Sequence, residues 1–428
     1  MQTAADTLSR PRPWHALGPG LIFAAAAVGV SHLVQSTRAG ADFGLSLIVV
    51  VLLANLLKYP AFRFGPEYTA ATGLSLLEGY RRQGRWALWL FLGVTVGTMF
   101  AVQAGVTVVT AGLALALTGW DLSAPTMSGW LLASCALLLA LGRYRLLDKL
   151  TKVLVAILTV STVAATLLVL PQIPWSDAAL WWPNLEGREL KTLLFLVALI
   201  GWMPSAIDVA AWQSLWTLAR ARIHRRPPQL GDTLFDFHVG YVGTAALACC
   251  FLLMGAGVMY GQGGETPASA GAFAAQVVAL YTSTLGAWSG PLIGVAAFVV
   301  MFSTTLTVLD GFPRVLSVLL RRFRGPEVAG EGDEGRVYWV AVLVQAAAAV
   351  GILVVALRSL TGFIDVATSL SFLTAPVLAW LNHRVRFDPQ TLALAPAAPW
   401  LLWMSRGGVL FLSAFALLYV GVLLLRPG

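Results

Sequence analysis

Charge is scarce in this chain of 428 residues: Asp, Glu, Lys and Arg make up 11%, against 58% hydrophobic residues. That scarcity excludes a water-soluble fold, which needs charged and polar side chains over its surface. Cysteine is scarcer still. The 3 residues Cys135, Cys249 and Cys250 all lie in apolar runs, which excludes a disulfide framework and a cysteine metal motif. There is no H-E-x-x-H sequence and no nucleophile–base constellation, so nothing points to an enzyme. Long hydrophilic stretches are missing too. The longest, RRFRGPEVAGEGDEGR from Arg321 to Arg336, reads as a loop, which argues against a membrane sensor or binding subunit working through a soluble domain.

What is present is apolar sequence in long runs. No formally charged side chain lies between Arg12 and Arg38, Arg85 and Asp121, Lys152 and Asp177, or Arg336 and Arg358. Such gaps suit helices of ~20 residues crossing a ~30 Å hydrocarbon core, and the mean hydropathy of +0.78 agrees. The chain therefore reads as an all-α polytopic membrane protein with eleven transmembrane helices, at 18–41, 44–63, 86–118, 126–142, 147–171, 190–219, 234–260, 289–319, 337–357, 359–382 and 407–425. The first run is longer than the apolar region of a cleaved signal peptide.

The net charge of +8 reports topology rather than a nucleic-acid partner, because the basic residues sit between the apolar runs. With the N-terminus cytoplasmic, most of the 28 Lys and Arg residues fall in inner segments or helix ends, among them Lys58, Arg63, Arg81, Arg82, Arg314, Arg322 and Arg386. The expected setting is an inner or plasma membrane of prokaryotic type. The lipid bilayer and a small inorganic ion are the expected partners.

Two runs carry polar breaks. The first reads GPGLIFAAAAVGVSHLVQSTRAG and the sixth LVALIGWMPSAIDVAAWQSLWTLAR, each with an apolar half, a Gly or Pro interruption, and a second half holding a Gln-Ser pair. Five spans separate their starts, so they run in opposite directions, as in transporters built from inverted repeats. A broken helix at membrane depth frees backbone N–H and C=O groups that hydrocarbon cannot satisfy, so two facing breaks predict a site. The bland alternative is two kinked helices, packed closely at Gly29 and bent at Pro204.

The chain resembles the Nramp family of divalent-metal transporters. The residues that carry the resemblance are GPGLIFAAAAVG, AGADFGLSLIVVVLLANLL and TGLSLLE, with Met203-Pro204 matching the start of the family's M-P-H segment. The resemblance implies a LeuT-like inverted five-plus-five repeat plus one extra helix. Residues 1–17 are then a cytoplasmic N-terminus, 18–171 the first repeat, 172–189 an outer connection, 190–382 the second repeat, and 383–428 a connection with span 11. It also implies a site where the family's D-P-G-N falls on Gly29, Val30, Ser31 and His32, opposite Met203, Pro204 and Ser205. The family's carboxylate position is Gly29, and its span 6 histidine position is Ser205.

Without that carboxylate, the N-termini of the second half-helices, with Ser31, His32 and Ser205 beside them, favour a small polar anion. Bicarbonate is the leading candidate through the resemblance. A divalent-metal carrier with a site rebuilt from His32 and Asp208 is the alternative; Asp208 also fits a helix cap, and His32 a substrate donor, a proton carrier or a structural residue. No cofactor is expected beyond Na⁺ as coupling ion. In LeuT-like transporters hydroxyls of span 8 help bind sodium, which singles out Ser303, Thr304 and Thr307, against the reading that they bond their own helix. Arg38, Gln103, Asp310 and Asp365 are intramembrane polar residues expected to line the pathway, with an ion pair to Arg314 competing for Asp310.

Overall fold

The chain's computed structural model describes residues 16–425 apart from 183–188, most of 261–285, 329, 333 and 357–359. Most of the N-terminal segment 1–17 and the middle of the outer connection 172–189 therefore lie outside the described residues.

Helix α1, Pro19–Ala27, begins with proline at its first position, where a missing N–H costs nothing. Its free end is covered from a distance: the Asp236 carboxylate accepts from the Gly18 and Gly20 amides at 2.8 and 2.7 Å. After nine residues the helix stops. Val28 and Gly29 leave helical geometry, and the chain resumes as a π-helical turn, Val30–Ser36, running into α2, Thr37–Phe43. The expected first span is thus present and broken where its sequence is polar. Glycine is required at the break because a Cβ on Gly29 would lie 2.7 Å from Thr304 Cγ2.

Helices α3 (Ile48–Thr72), α4 (Leu76–Gln83), α5 (Arg85–Thr118), α6 (Ala124–Val169) and the short α7 (Ala178–Trp181) follow. The expected fourth and fifth spans lie within the single element α6, where Ala124–Gly142 and Asp148–Gln172 qualify separately as spans. The sixth run is again broken, into α8 (Glu189–Trp202) and α9 (Val209–His224). Then come α10 (Leu230–Val258), α11 (Ser289–Arg322), α12 (Arg336–Ala356), α13 (Leu360–Arg386), α14 (Pro389–Leu394) and α15 (Pro399–Leu424).

Among the described residues, 10 helical segments are long and apolar enough to cross a membrane, counting α1 through α2 as one. The halves α8 and α9 are each too short to qualify. Burial sorts the spans into centre and rim. The apolar window of the first span is 94% buried and that of α15 is 22% buried, so the broken helix is the core and α15 faces lipid. Exposed Val49, Leu52, Leu53 and Leu56 mark the lipid face of α3.

One expectation is corrected. Lys58 was assigned to the inner ends of the spans, but it lies within α3 with no exposed surface.

The broken first span packs on α10 backbone to backbone. A Cβ on Gly40 would come within 2.0 Å of the Leu252 carbonyl oxygen, and one on Gly255 within 2.2 Å of the Thr37 oxygen. Such contacts between small residues let van der Waals packing hold helices together where water supplies no driving force. Gly255→Val is expected to lower the thermal midpoint of the detergent-solubilised protein, with a cost of about 1–3 kcal/mol for overpacking. Gly243→Ala, on the same helix with nothing within 4 Å, is the control and should leave the midpoint unchanged or slightly raised.

Candidate functional site

The two breaks face one another across a cavity of ≈ 30 Å³, bordered by Val30 and Ser31 from span 1, Ser205, Ala206 and Asp208 from span 6, Thr304 from α11, and the indoles of Trp202 and Trp212. Ala, Val and Phe side chains make up the rest. A space of this size suits a small ion and not an organic solute, since one water already needs about 10–15 Å³.

The chemistry of the wall is uneven. Amides of Val30, Ser31, Ser205 and Ala206 make no backbone hydrogen bond among the described residues. The indole nitrogens of Trp202 and Trp212 are buried with no partner, and so is Asp208 Oδ1. Asp208 stands at the N-cap of α9 and yet makes no side-chain cap bond, so the capping reading is not what the structure shows. Ser31 Oγ is 2.6 Å from the Ala27 oxygen and 3.5 Å from the Pro204 oxygen, the latter linking the two breaks directly. Residues carrying unpartnered N–H groups and one side-chain carboxyl thus border the cavity.

His32 is spoken for. Its Nε2 donates to the Thr244 carbonyl of α10 at 2.9 Å, which leaves Nδ1, 2.7 Å from Ser31 Oγ, as an acceptor on the neutral ring. It is fully buried and does not line the cavity. The geometry makes His32 a brace between span 1 and α10, and it does not bring His32 and Asp208 together as a ligand pair. Among the described residues, no group of three or more His, Cys, Asp or Glu side chains is placed to hold a metal ion.

Next to the cavity, Thr304 Oγ1 lies 2.8 Å from the Ala25 oxygen, 3.2 Å from the Val28 oxygen and 3.3 Å from the Val300 oxygen. A hydroxyl has one proton, so it satisfies one of these carbonyls at a time. Ser303 Oγ, beside it in sequence, is buried without a partner. Thr307 is not part of this cluster, since its hydroxyl donates to the Ser303 and Thr304 carbonyls of its own helix.

Polar clusters bracket the cavity along the helix axes. On the outer side, Arg38 grips Asp365 through two nitrogens at 2.7 and 3.3 Å, Gln35 donates to the same carboxylate at 3.1 Å, and the guanidinium lies over Phe195. Arg38 and Asp365, expected to line the pathway, form one ion pair joining α2 to α13. On the inner side, Asp310 accepts from Arg314, from Trp216 at 2.9 Å and from Tyr338 at 2.8 Å, and Arg314 also reaches Glu334. The competing ion pair is therefore present, and the carboxylate is saturated.

Gln103 pairs with Thr107 and Gln345 between α5 and α12, away from the cavity. Farther in, Glu78 of α4 is pulled two ways. Burial acts to raise its carboxyl, but the hydrogen bond from Arg81, the Glu327 amide and the nearby guanidinium charges outweigh it and hold the group below its ordinary value.

The sequence model of Nramp, natural resistance-associated macrophage protein-like, matches residues 20–420. This chain belongs to the Nramp family. An uncharacterized protein of Pasteurella multocida (strain Pm70) is 36% identical over 422 residues, covering 95% of this chain and 93% of that one. Among solved structures, the Eremococcus coleocola manganese transporter in complex with an aromatic bis-isothiourea substituted compound matches with a TM-score of 0.74 at 15% identity, covering 100% of this chain and 93% of that one. MhsT in complex with L-phenylalanine matches with a TM-score of 0.63 at 15% identity over 93% of this chain and 98% of that one. The Nramp chain accordingly has the LeuT-like fold and is a multi-pass membrane transporter.

If the Arg38–Asp365 pair holds the outer side closed, Asp365→Asn should expose the cavity outward. The expected result is faster modification of a cysteine placed at Ser205 by a membrane-impermeant reagent added outside, by about tenfold for about 1.4 kcal/mol of lost closure. The measurement needs a background without Cys135, Cys249 and Cys250. An unchanged rate would show that the pair does not hold the outer closure.

Proposed function

We propose that this Nramp-family transporter carries a small oxyanion, bicarbonate, together with Na⁺, by alternating access around the two broken helices. The observation that carries the reading is the pairing of unpartnered N–H groups on residues bordering the cavity, Trp202 Nε1, Trp212 Nε1 and the break amides, with an unpartnered carboxyl oxygen, Asp208 Oδ1. Bicarbonate is complementary to that set. Its carbonyl-type oxygens accept from the N–H groups, and its hydroxyl donates to Asp208. Chloride and nitrate have no proton to give and would leave the Asp208 oxygen unmatched, a loss of about 1–3 kcal/mol for a buried polar group.

An anion beside a carboxylate needs positive charge nearby. The second half-helices supply part of it from their N-termini. Sodium supplies the rest in this reading, held by the Ala25, Val28 and Val300 carbonyls with Ser303 and Thr304, a set of hard oxygen donors in which three carbonyls share the one Thr304 hydroxyl proton. Arg38 and Asp365 close the outer side and the Asp310 cluster the inner side, so transport requires each to open in turn.

A second reading has its own support. Asp208 Oδ1 also suits a divalent cation, and the Eremococcus coleocola neighbour is named a manganese transporter. Against it stand His32, with both ring nitrogens engaged, and a cavity richer in donors than in ligands.

Proteoliposomes separate the two. Bicarbonate entry consumes an internal proton as CO₂ leaves, so the expected signal is bicarbonate-dependent internal alkalinisation that grows with an inward Na⁺ gradient. Asp208→Asn and Thr304→Val should each lower it by at least about tenfold, the size expected for losing one hydrogen bond to a charged group. Saturable Mn²⁺ or Mg²⁺ uptake that disappears in Asp208→Asn, with no bicarbonate signal in the parent, would replace the anion reading by the metal one.

A further inference from the structure

The two breaks are covered in different ways. In span 1 the freed carbonyls of Ala25 and Val28 face a neutral hydroxyl, that of Thr304. In span 6 the freed carbonyls face an amine. Lys58 Nζ, carried by α3, lies 2.5 Å from the Ile200 oxygen, 3.0 Å from the Gly201 oxygen and 3.5 Å from the Ser205 oxygen. Its three partners are all backbone carbonyls, and the side chain is fully buried.

Ile200 and Gly201 belong to the last turn of α8, where the half-helix presents its negative end and the Ile200 oxygen receives from the backbone only the Met203 amide, at 3.4 Å. Three acceptors around one nitrogen match the three N–H donors of an ammonium group. Oxygens gathered from a broken helix are also what a small monovalent cation coordinates. Here the group at the centre is a covalently attached amine.

We propose that Lys58 is a tethered cation occupying a monovalent-cation site at the break of span 6, and that its fixed charge behind the cavity-lining Ser205 biases the cavity toward anionic cargo. The first part stands on the carbonyl geometry alone; the second rests on the anion reading above. Lys58 is a positioning residue. By holding the Ser205 carbonyl it keeps the following amides free for the cavity, and by filling the carbonyl cluster it denies that cluster to a mobile ion.

The test compares Lys58→Met, Lys58→Arg and Lys58→Gln with the parent, purified in N-methylglucamine medium and titrated with Na⁺ or K⁺ while the thermal midpoint is followed. The parent gives the reference response, including any contribution from the Thr304 cluster. K58M should start lower and recover by several degrees, saturably, beyond the parent's response, because cation binding to the folded state alone raises the midpoint. K58R should behave as the parent. K58Q keeps N–H donors without charge and should resemble K58M; if it matches the parent in midpoint and cation response, a neutral donor suffices and the tethered cation is overturned. A K58M midpoint that shifts no more than the parent's overturns it as well. In proteoliposomes K58M should lose at least about tenfold of the bicarbonate signal that K58R retains; equal signals would overturn the bias on cargo. A parent with no bicarbonate signal would sink the anion reading, while the midpoint titration would still decide whether Lys58 stands in for a cation.

Discussion

Backbone polar groups freed inside a bilayer must find partners within the protein, and this constraint organises the molecule. Breaking span 1 after Ala27 and span 6 after Trp202 releases carbonyls from the first halves and amides from the second. Hydrocarbon satisfies neither. The carbonyls are met by Thr304 and Lys58, which forces α11 and α3 against the breaks and leaves no room for a side chain at Gly29. The amides are left to the cavity. Carbonyls of both first halves are thus held by side chains of neighbouring helices, while break amides of both second halves border the cavity without a backbone partner.

The same constraint explains why the polar residues of the core fall into small separate clusters. Asp236 covers the start of α1, His32 ties the π-helical turn to the Thr244 carbonyl, and Asp310 gathers Arg314, Trp216 and Tyr338. Each cluster joins a broken helix, or its immediate neighbour, to a continuous one. Movement of the broken pair relative to α10, α11 and α13 therefore means exchanging or breaking a few identifiable contacts rather than remaking a core. The Arg38–Asp365 pair, with Asp365 34% exposed, is cheaper to open than the fully buried Asp310–Arg314 pair, because water can take over its hydrogen bonds.

Much of this was legible in the sequence, and the rest was hidden for physical reasons. Apolar runs gave the spans, because hydrocarbon thickness fixes their length. The breaks at Gly29 and Met203-Pro204 were visible as polar interruptions, and Asp310 with Arg314 as a pair four residues apart on one helix. Contacts across hundreds of residues left no such trace. Arg38 and Asp365 each look like an isolated intramembrane charge, and nothing local joins them. His32 looked like a ligand because its partner is a backbone carbonyl, which no sequence pattern marks. Lys58 was counted with the inner helix ends because basic residues usually reach the interface; its place in the run LLANLLKYPAF, with apolar residues on both sides, was the signal that it had another task.

Asp208 is where these arguments meet. It is a carboxyl group at a helix N-terminus that makes no side-chain cap bond, with an oxygen that has no partner, beside a cavity lined mostly by apolar side chains. A buried acceptor left unmatched costs folding energy, and the first amides of α9 are already taken by the Ala206, Ile207 and Asp208 carbonyls. In the proposed reading, a cargo with a proton to donate supplies the partner that this oxygen lacks. A carboxylate facing a bare anion would repel it, whereas one facing a hydroxyl-bearing anion, with Na⁺ on the neighbouring carbonyls, completes both hydrogen bonding and charge. Span 1 has Gly29 where the resemblance expects an acid, and in the proposed reading Asp208 on span 6 accepts a hydrogen bond from the cargo.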